Sequence, residues 1–71
     1  MEITKEELEN RFTYHAPKEG QPALYEAIRD HGRIMAAHII KHCPNSRERS
    51  LSLTKIDEAI MWANAAIARR A

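Results

Sequence analysis

Two apolar stripes of helical period, divided by one Cys43-Pro44 break, constrain this chain more than any other feature. On the first, Leu24, Ile28, Met35 and Ile39 recur at steps of four, seven and four; on the second, Leu53, Ile56, Ile60, Ala63 and Ile67 recur at three, four, three and four. Such spacing puts each set along one side of a helix that packs lengthwise on another helix. The first helix opens at Pro22, whose missing N–H would be unpaired in a first turn anyway, and runs to about Cys43, roughly 33 Å at the usual rise. It stops there because proline drives its predecessor out of the helical region. Asn45, with Glu48 three residues on, reads as a capping box for the second helix, and Arg69 and Arg70 complement the dipole at its far end. Two long helices joined by a few residues fold back antiparallel.

A shorter helix precedes the hairpin. Thr4-Lys5-Glu6-Glu7 reads as a first capping box, in which the Thr4 hydroxyl accepts from a free amide while the Glu7 carboxylate reaches back to the Thr4 N–H. Leu8 and Phe12 form its apolar i, i+4 pair, and Ala16-Pro17 ends it near Thr13. From Tyr14 to Gln21 there is no period, and Pro17 and Gly20 mark an ordered loop. The expected fold is all-α, a single domain over residues 1–71 made of a short N-terminal helix and a long antiparallel hairpin. Gly32 falls inside the first long helix, where glycine costs about 1 kcal/mol against alanine; close approach of another backbone or of a ligand is the expected reason.

A hairpin of this size has a thin core. Hydrophobic residues make up 44% of the 71, but about a third of them are alanine, too little bulk for a robust isolated fold. Ile34, Ile40, Met61 and Trp62 lie on faces away from the single inward seam, so the chain is expected to form a homo-oligomer by helix packing. One cysteine excludes a disulfide framework and a closed cysteine–zinc site. The absence of an opening apolar run or a spanning segment predicts a cytoplasmic protein without a membrane partner. Eleven Lys and Arg against ten Asp and Glu leave a formal charge of +1, so any anion site is local.

The residues suggest binding rather than catalysis. His42 and Cys43 are adjacent on a helix end and point about 100° apart, so they do not form a nucleophile–base pair. His31, His38 and His42 share a helix face, and a pair at i, i+4 can bind zinc when further ligands arrive from elsewhere. With no H-E-x-x-H pattern or orienting carboxylate, solvated or interface histidines are the ordinary reading and no metal site is expected. Arg29, Arg33, Arg47, Arg49 and Lys55 raise duplex-DNA binding or a protein-interaction module as an alternative, but acidic residues are interspersed and no base-reading face stands out. A small anionic ligand carrying bases fits better: it needs an aromatic platform and a few phosphate donors. Tyr14, His15 and Lys18 share the loop, Arg29 follows, and Asn45, Ser46, Arg47 and Ser50 cluster at the start of the last helix. On composition alone Tyr14 serves equally as a core anchor and Ser46 as a mere cap.

Longer runs narrow this. Arg11 to Lys18, Gln21-Pro22, Tyr25 to Arg29, Cys43 to Thr54, and Ala59 to Arg69, which includes Met61-Trp62-Ala63-Asn64-Ala65, together resemble the small phage helical-hairpin proteins that sequester cyclic oligonucleotide signals, the anti-CBASS sponges. The resemblance extends from about residue 7 to 70. It implies a homo-hexamer in the host-cell cytoplasm that binds cyclic dinucleotides, cyclic GMP-AMP among them, between protomers without cleaving them. In some members a separate site takes cyclic trinucleotides. It further implies that Tyr14 stacks on a base, His15 supplies a polar contact, Arg29 meets a phosphate, and Ser46 and Arg47 complete the contacts, with Lys18, Ser50 and Thr54 as further candidates. No catalytic residue, cofactor or metal is implied.

Overall fold

A computed structural model describes residues 2–71. It is all-α, with α1 (Lys5–Phe12), α2 (Gln21–His42) and α3 (Arg47–Arg70) in order, and α2 and α3 packed antiparallel as the stripes require. Each boundary has a local cause. The Thr4 hydroxyl accepts from the Glu7 amide at 3.1 Å and starts α1. Gly20 sits at φ +83°, a left-handed conformation that glycine adopts without strain, and lets the loop turn into α2. Cys43 is extended ahead of Pro44, and its N–H makes the last bond of α2, to the Ile39 carbonyl at 2.9 Å.

Both expected capping boxes are corrected in part. The Glu7 carboxylate does not return to Thr4; it takes Arg11 at 2.7 Å and Arg70 at 2.8 Å, because two guanidinium forks attract a carboxylate more strongly than one neutral amide. The cap of α3 is Ser46 rather than Asn45: its hydroxyl accepts from the Arg49 amide at 3.1 Å and donates to the Pro44 carbonyl at 2.9 Å. Asn45 instead accepts from the Arg49 guanidinium at 3.2 Å.

The seam on α3 runs through Leu53, Ile56, Ile60, Ala63 and Ile67, all half-buried as expected. On α2 it passes through Tyr25, Ile28, Gly32, Ala36 and Ile39, while Leu24 and Met35 stay exposed. Small residues displace large ones there because they admit the facing helix. A Cβ at Gly32 would lie 2.6 Å from Ile60 Cδ1 and 3.0 Å from Ile60 Cγ1, so the close approach that calls for glycine is made by a side chain of α3, not by a backbone or a ligand.

The chain is a thin plate of 46 × 32 × 14 Å. Its radius of gyration is 15.6 Å, against about 11 Å for a compact chain of this length. Among the described residues no apolar side chain is fully buried, and the one buried residue is Gln21, 7% exposed. Trp62 and Met61 stand 64% and 67% exposed on the outer side of α3.

Candidate functional site

The N-terminal arm docks on carbonyls at the end of α3, where Arg69 and Ala71 have no intrahelical donor and Ile67 also accepts from the Ala71 N–H at 3.3 Å. Asn10 Nδ2 donates to the Arg69 carbonyl at 3.1 Å, Gln21 Nε2 to Ile67 at 3.4 Å, and Lys18 Nζ to Ala71 at 2.7 Å. Gln21 also accepts from the Lys18 amide at 2.9 Å, so one buried amide ties the loop to both long helices. Arg70 forks onto Glu7 through two bonds of 2.8 Å. The Arg70 and Arg11 guanidinium groups together hold the Glu7 carboxyl down from 4.5 to about 2, and the same pairing raises Arg70.

This docking opens a cleft of about 470 Å³ between the loop and the end of the hairpin. Tyr14, 83% exposed, stands at its edge with His15; Tyr25 of α2 and Asn64 of α3 line it, and Arg11 and Arg69 wall it. Arg11 and Arg69 also border a neighbouring hollow of about 300 Å³ that contains Trp62 and Arg70. His15 is oriented by a 2.7 Å bond between its Nε2 and the Asn10 carbonyl. The Asn64 Oδ1 is buried at the cleft with no hydrogen-bond partner, a state that costs about 1–3 kcal/mol unless something donates to it. An exposed aromatic ring and guanidinium groups in one concavity suit a base-bearing anion.

The family model for the Acb2/Tad1 hairpin domain matches residues 4–68, which include the loop, the Arg11 wall of the cleft and the turn, and stop one residue short of Arg69. The chain belongs to the Acb2/Tad1 hairpin-domain family. No curated protein and no solved structure matches it. The match bears out the resemblance to the cyclic-nucleotide sponges drawn from the residue runs.

As a member of the Acb2/Tad1 family, the chain divides its expected ligand contacts between the loop end and the hairpin turn, with Arg29 apart from both. Tyr14, His15 and Lys18 lie at the loop end, with Lys18 committed to the Ala71 carbonyl. Arg29 lies one turn beyond Tyr25 on α2, on a separate hollow of about 680 Å³ that it shares with Arg33, Asp57 and Met61. Ser46, Arg47, Ser50 and Thr54 lie at the hairpin turn and the first turns of α3. Ser46 is spent on the cap, and the Thr54 hydroxyl donates back to the Ser50 carbonyl at 3.1 Å. From Ser46 to Asn64 is about 27 Å along α3, so one protomer does not bring Tyr14 and Arg47 to one small ligand.

Sequence reading assigned no ligand role to Arg11, Tyr25, Asn64 or Arg69. Tyr25, Arg11, Asn64 and Arg69 all fall inside the runs that carry the family resemblance, which is the signal that could have found them. Arg69 was explained by the helix dipole, and Asn64 is one polar residue in an alanine-rich helix.

Proposed function

We propose that this protein is a sponge for cyclic dinucleotides, cyclic GMP-AMP among them, which it holds between two copies of the chain and releases chemically unchanged. The observation that carries this reading is the exposed ring of Tyr14 at the mouth of a cleft walled by Arg11 and Arg69. A base stacked on that ring gains about 1–3 kcal/mol, and the guanidinium groups offer forked donors to phosphate oxygens.

The distance between the two groups of candidates supports a shared site. A second copy packed antiparallel to the first would bring its Ser46, Arg47 and Ser50 toward the Tyr14 end of the first, and the reverse at the same time. A two-fold arrangement of this kind offers equivalent contacts to the equivalent halves of a doubly charged cyclic dinucleotide. Arg29, one turn from Tyr25 but on the neighbouring hollow, serves as a phosphate contact. The protomer exposes 6007 Å², against about 4,500 Å² for a compact protein of 8.2 kDa, which supports self-association; six subunits is the family expectation.

The function is sequestration. Withholding the messenger from the CBASS effector protects a phage-infected cell from that effector, and this needs binding and no bond cleavage. The decisive experiment is calorimetric titration with cyclic GMP-AMP, followed by heating the complex and chromatography of the released nucleotide. Intact ligand at the end supports a sponge, a linear or hydrolysed product overturns it, and absence of any uptake across cyclic di- and trinucleotides removes the nucleotide reading altogether.

A further inference from the structure

The nucleotide cleft leaves the histidines of α2 unused. Unlike His15, whose ring bonds to Asn10, His38 and His42 have no hydrogen bond from any described residue. They stand one turn apart on the exposed surface, with ring centroids 5.9 Å apart and planes within 15° of parallel. Two imidazoles one turn apart on a helix are within reach of one ion. The ion lies in the plane of each ring it binds, and nitrogen–metal bonds near 2.0–2.1 Å put two ligating nitrogens of a tetrahedral ion about 3.4 Å apart, so the stacked rings must turn out of parallel about their side-chain bonds, which exposure to solvent leaves unobstructed.

We propose that His38 and His42 chelate a borderline divalent cation, with Zn2+, Ni2+ and Cu2+ as the class that imidazole pairs select. Among the described residues no group of three His, Cys, Asp or Glu side chains converges, so one chain supplies two ligands and water or the same pair of another copy supplies the rest. The helix is what makes the pair a chelate: once one ring has bound, the second meets the ion at high effective concentration, and the unfolded chain loses that advantage. Metal therefore binds the helical state preferentially and stabilises it. The pair lies about 20 Å along α2 from Tyr25, so the site is independent of the nucleotide cleft.

The test is calorimetric titration of the untagged full chain with zinc chloride and nickel chloride in a non-chelating buffer. Melting curves with and without metal, and after EDTA, accompany it. Saturable uptake in the micromolar range is expected, with a higher melting temperature that EDTA reverses. His38→Ala and His42→Ala each weaken uptake about tenfold or more. His31→Ala leaves it unchanged, and all three variants keep the helical circular dichroism of the parent. Uptake weakens as the pH is lowered, because protons compete for the same nitrogens. One metal per chain or one per two chains both support the chelate and identify who completes the shell. No saturable uptake at millimolar metal, or equal uptake by the His38→Ala and His42→Ala proteins, overturns it. Cyclic GMP-AMP affinity is unaffected by either substitution, so failure of this site and failure of the sponge reading are separate results.

Discussion

Tyr14 is the residue on which the proposed ligand binding turns. Its ring is almost fully exposed, so its removal takes nothing from the packing of the chain. Tyr14→Ala is expected to weaken cyclic GMP-AMP about 10²-fold or more, since a symmetric ligand loses a stacking partner at each half, whereas Tyr14→Phe keeps most of the affinity. Titration of both variants checks this, and unchanged binding by the alanine form removes Tyr14 from the site. Gly32 is the residue on which close helix contact turns. An added methyl group meets Ile60 Cδ1, which can rotate away, but also Cγ1, which the branched side chain holds in place. Gly32→Ala is therefore expected to destabilise by about 1 kcal/mol net, overpacking outweighing the gain in helix propensity. Combining it with Ile60→Val, which deletes Cδ1, recovers part of that loss beyond additivity. Thermal unfolding at one fixed chain concentration provides the cycle.

At the scale of elements, α1 is the piece most open to control. It is an eight-residue helix with no buried side chain, held to the end of α3 by Asn10, by Glu7 on Arg70, and by the loop through Lys18 and Gln21. An isolated helix of that length does not persist in water, so its order depends on those tethers. Pairing with Arg70 and Arg11 lowers the folded Glu7 carboxyl to about 2 from 4.5. Its contribution is therefore complete above about pH 4.5 and is lost as the pH falls towards 2. Because the pair is solvent-exposed the effect is local and modest. Hydrogen exchange is expected to show α1 amides losing protection across that acid range before those of α2 and α3. Glu7→Gln lowers α1 protection already at neutral pH and abolishes its acid step; protection that ignores both changes shows that α1 is held by other means.

For the whole molecule, the governing fact is a hairpin with no enclosed apolar core and large side chains on its outer faces. The 14 Å plate has one helix layer, and burying its two faces requires further helices from other chains. Light scattering on the eluting protein is expected to give an oligomer of six at micromolar concentration, with a melting temperature that rises with chain concentration. Met61→Glu, placed on the apolar hollow beside Ile40, Leu53 and Ile56, is expected to lower the particle mass and the melting temperature together. A wild-type monomer with concentration-independent melting ends the shared-site mechanism.

Element order, hairpin topology and family were all legible in the linear chain, because a helical period, a proline stop and a capping hydroxyl act within a few residues of each other. Ala16-Pro17, Pro22 and Cys43-Pro44 mark the loop and turn, and every residue of the stripe on α3 is half-buried. Competition between distant partners was not legible. Glu7 could satisfy Thr4 beside it or Arg70 far along the chain, and only the fold brings the stronger partner within 2.8 Å. Leu24 and Met35 had the right period for the seam, yet Gly32 and Ala36 occupy it, since the depth at which Ile60 enters depends on both helices at once. The cleft follows the same logic: Tyr14, Tyr25, Asn64 and Arg69 come from a loop and two helices, and folding alone sets them around one hollow.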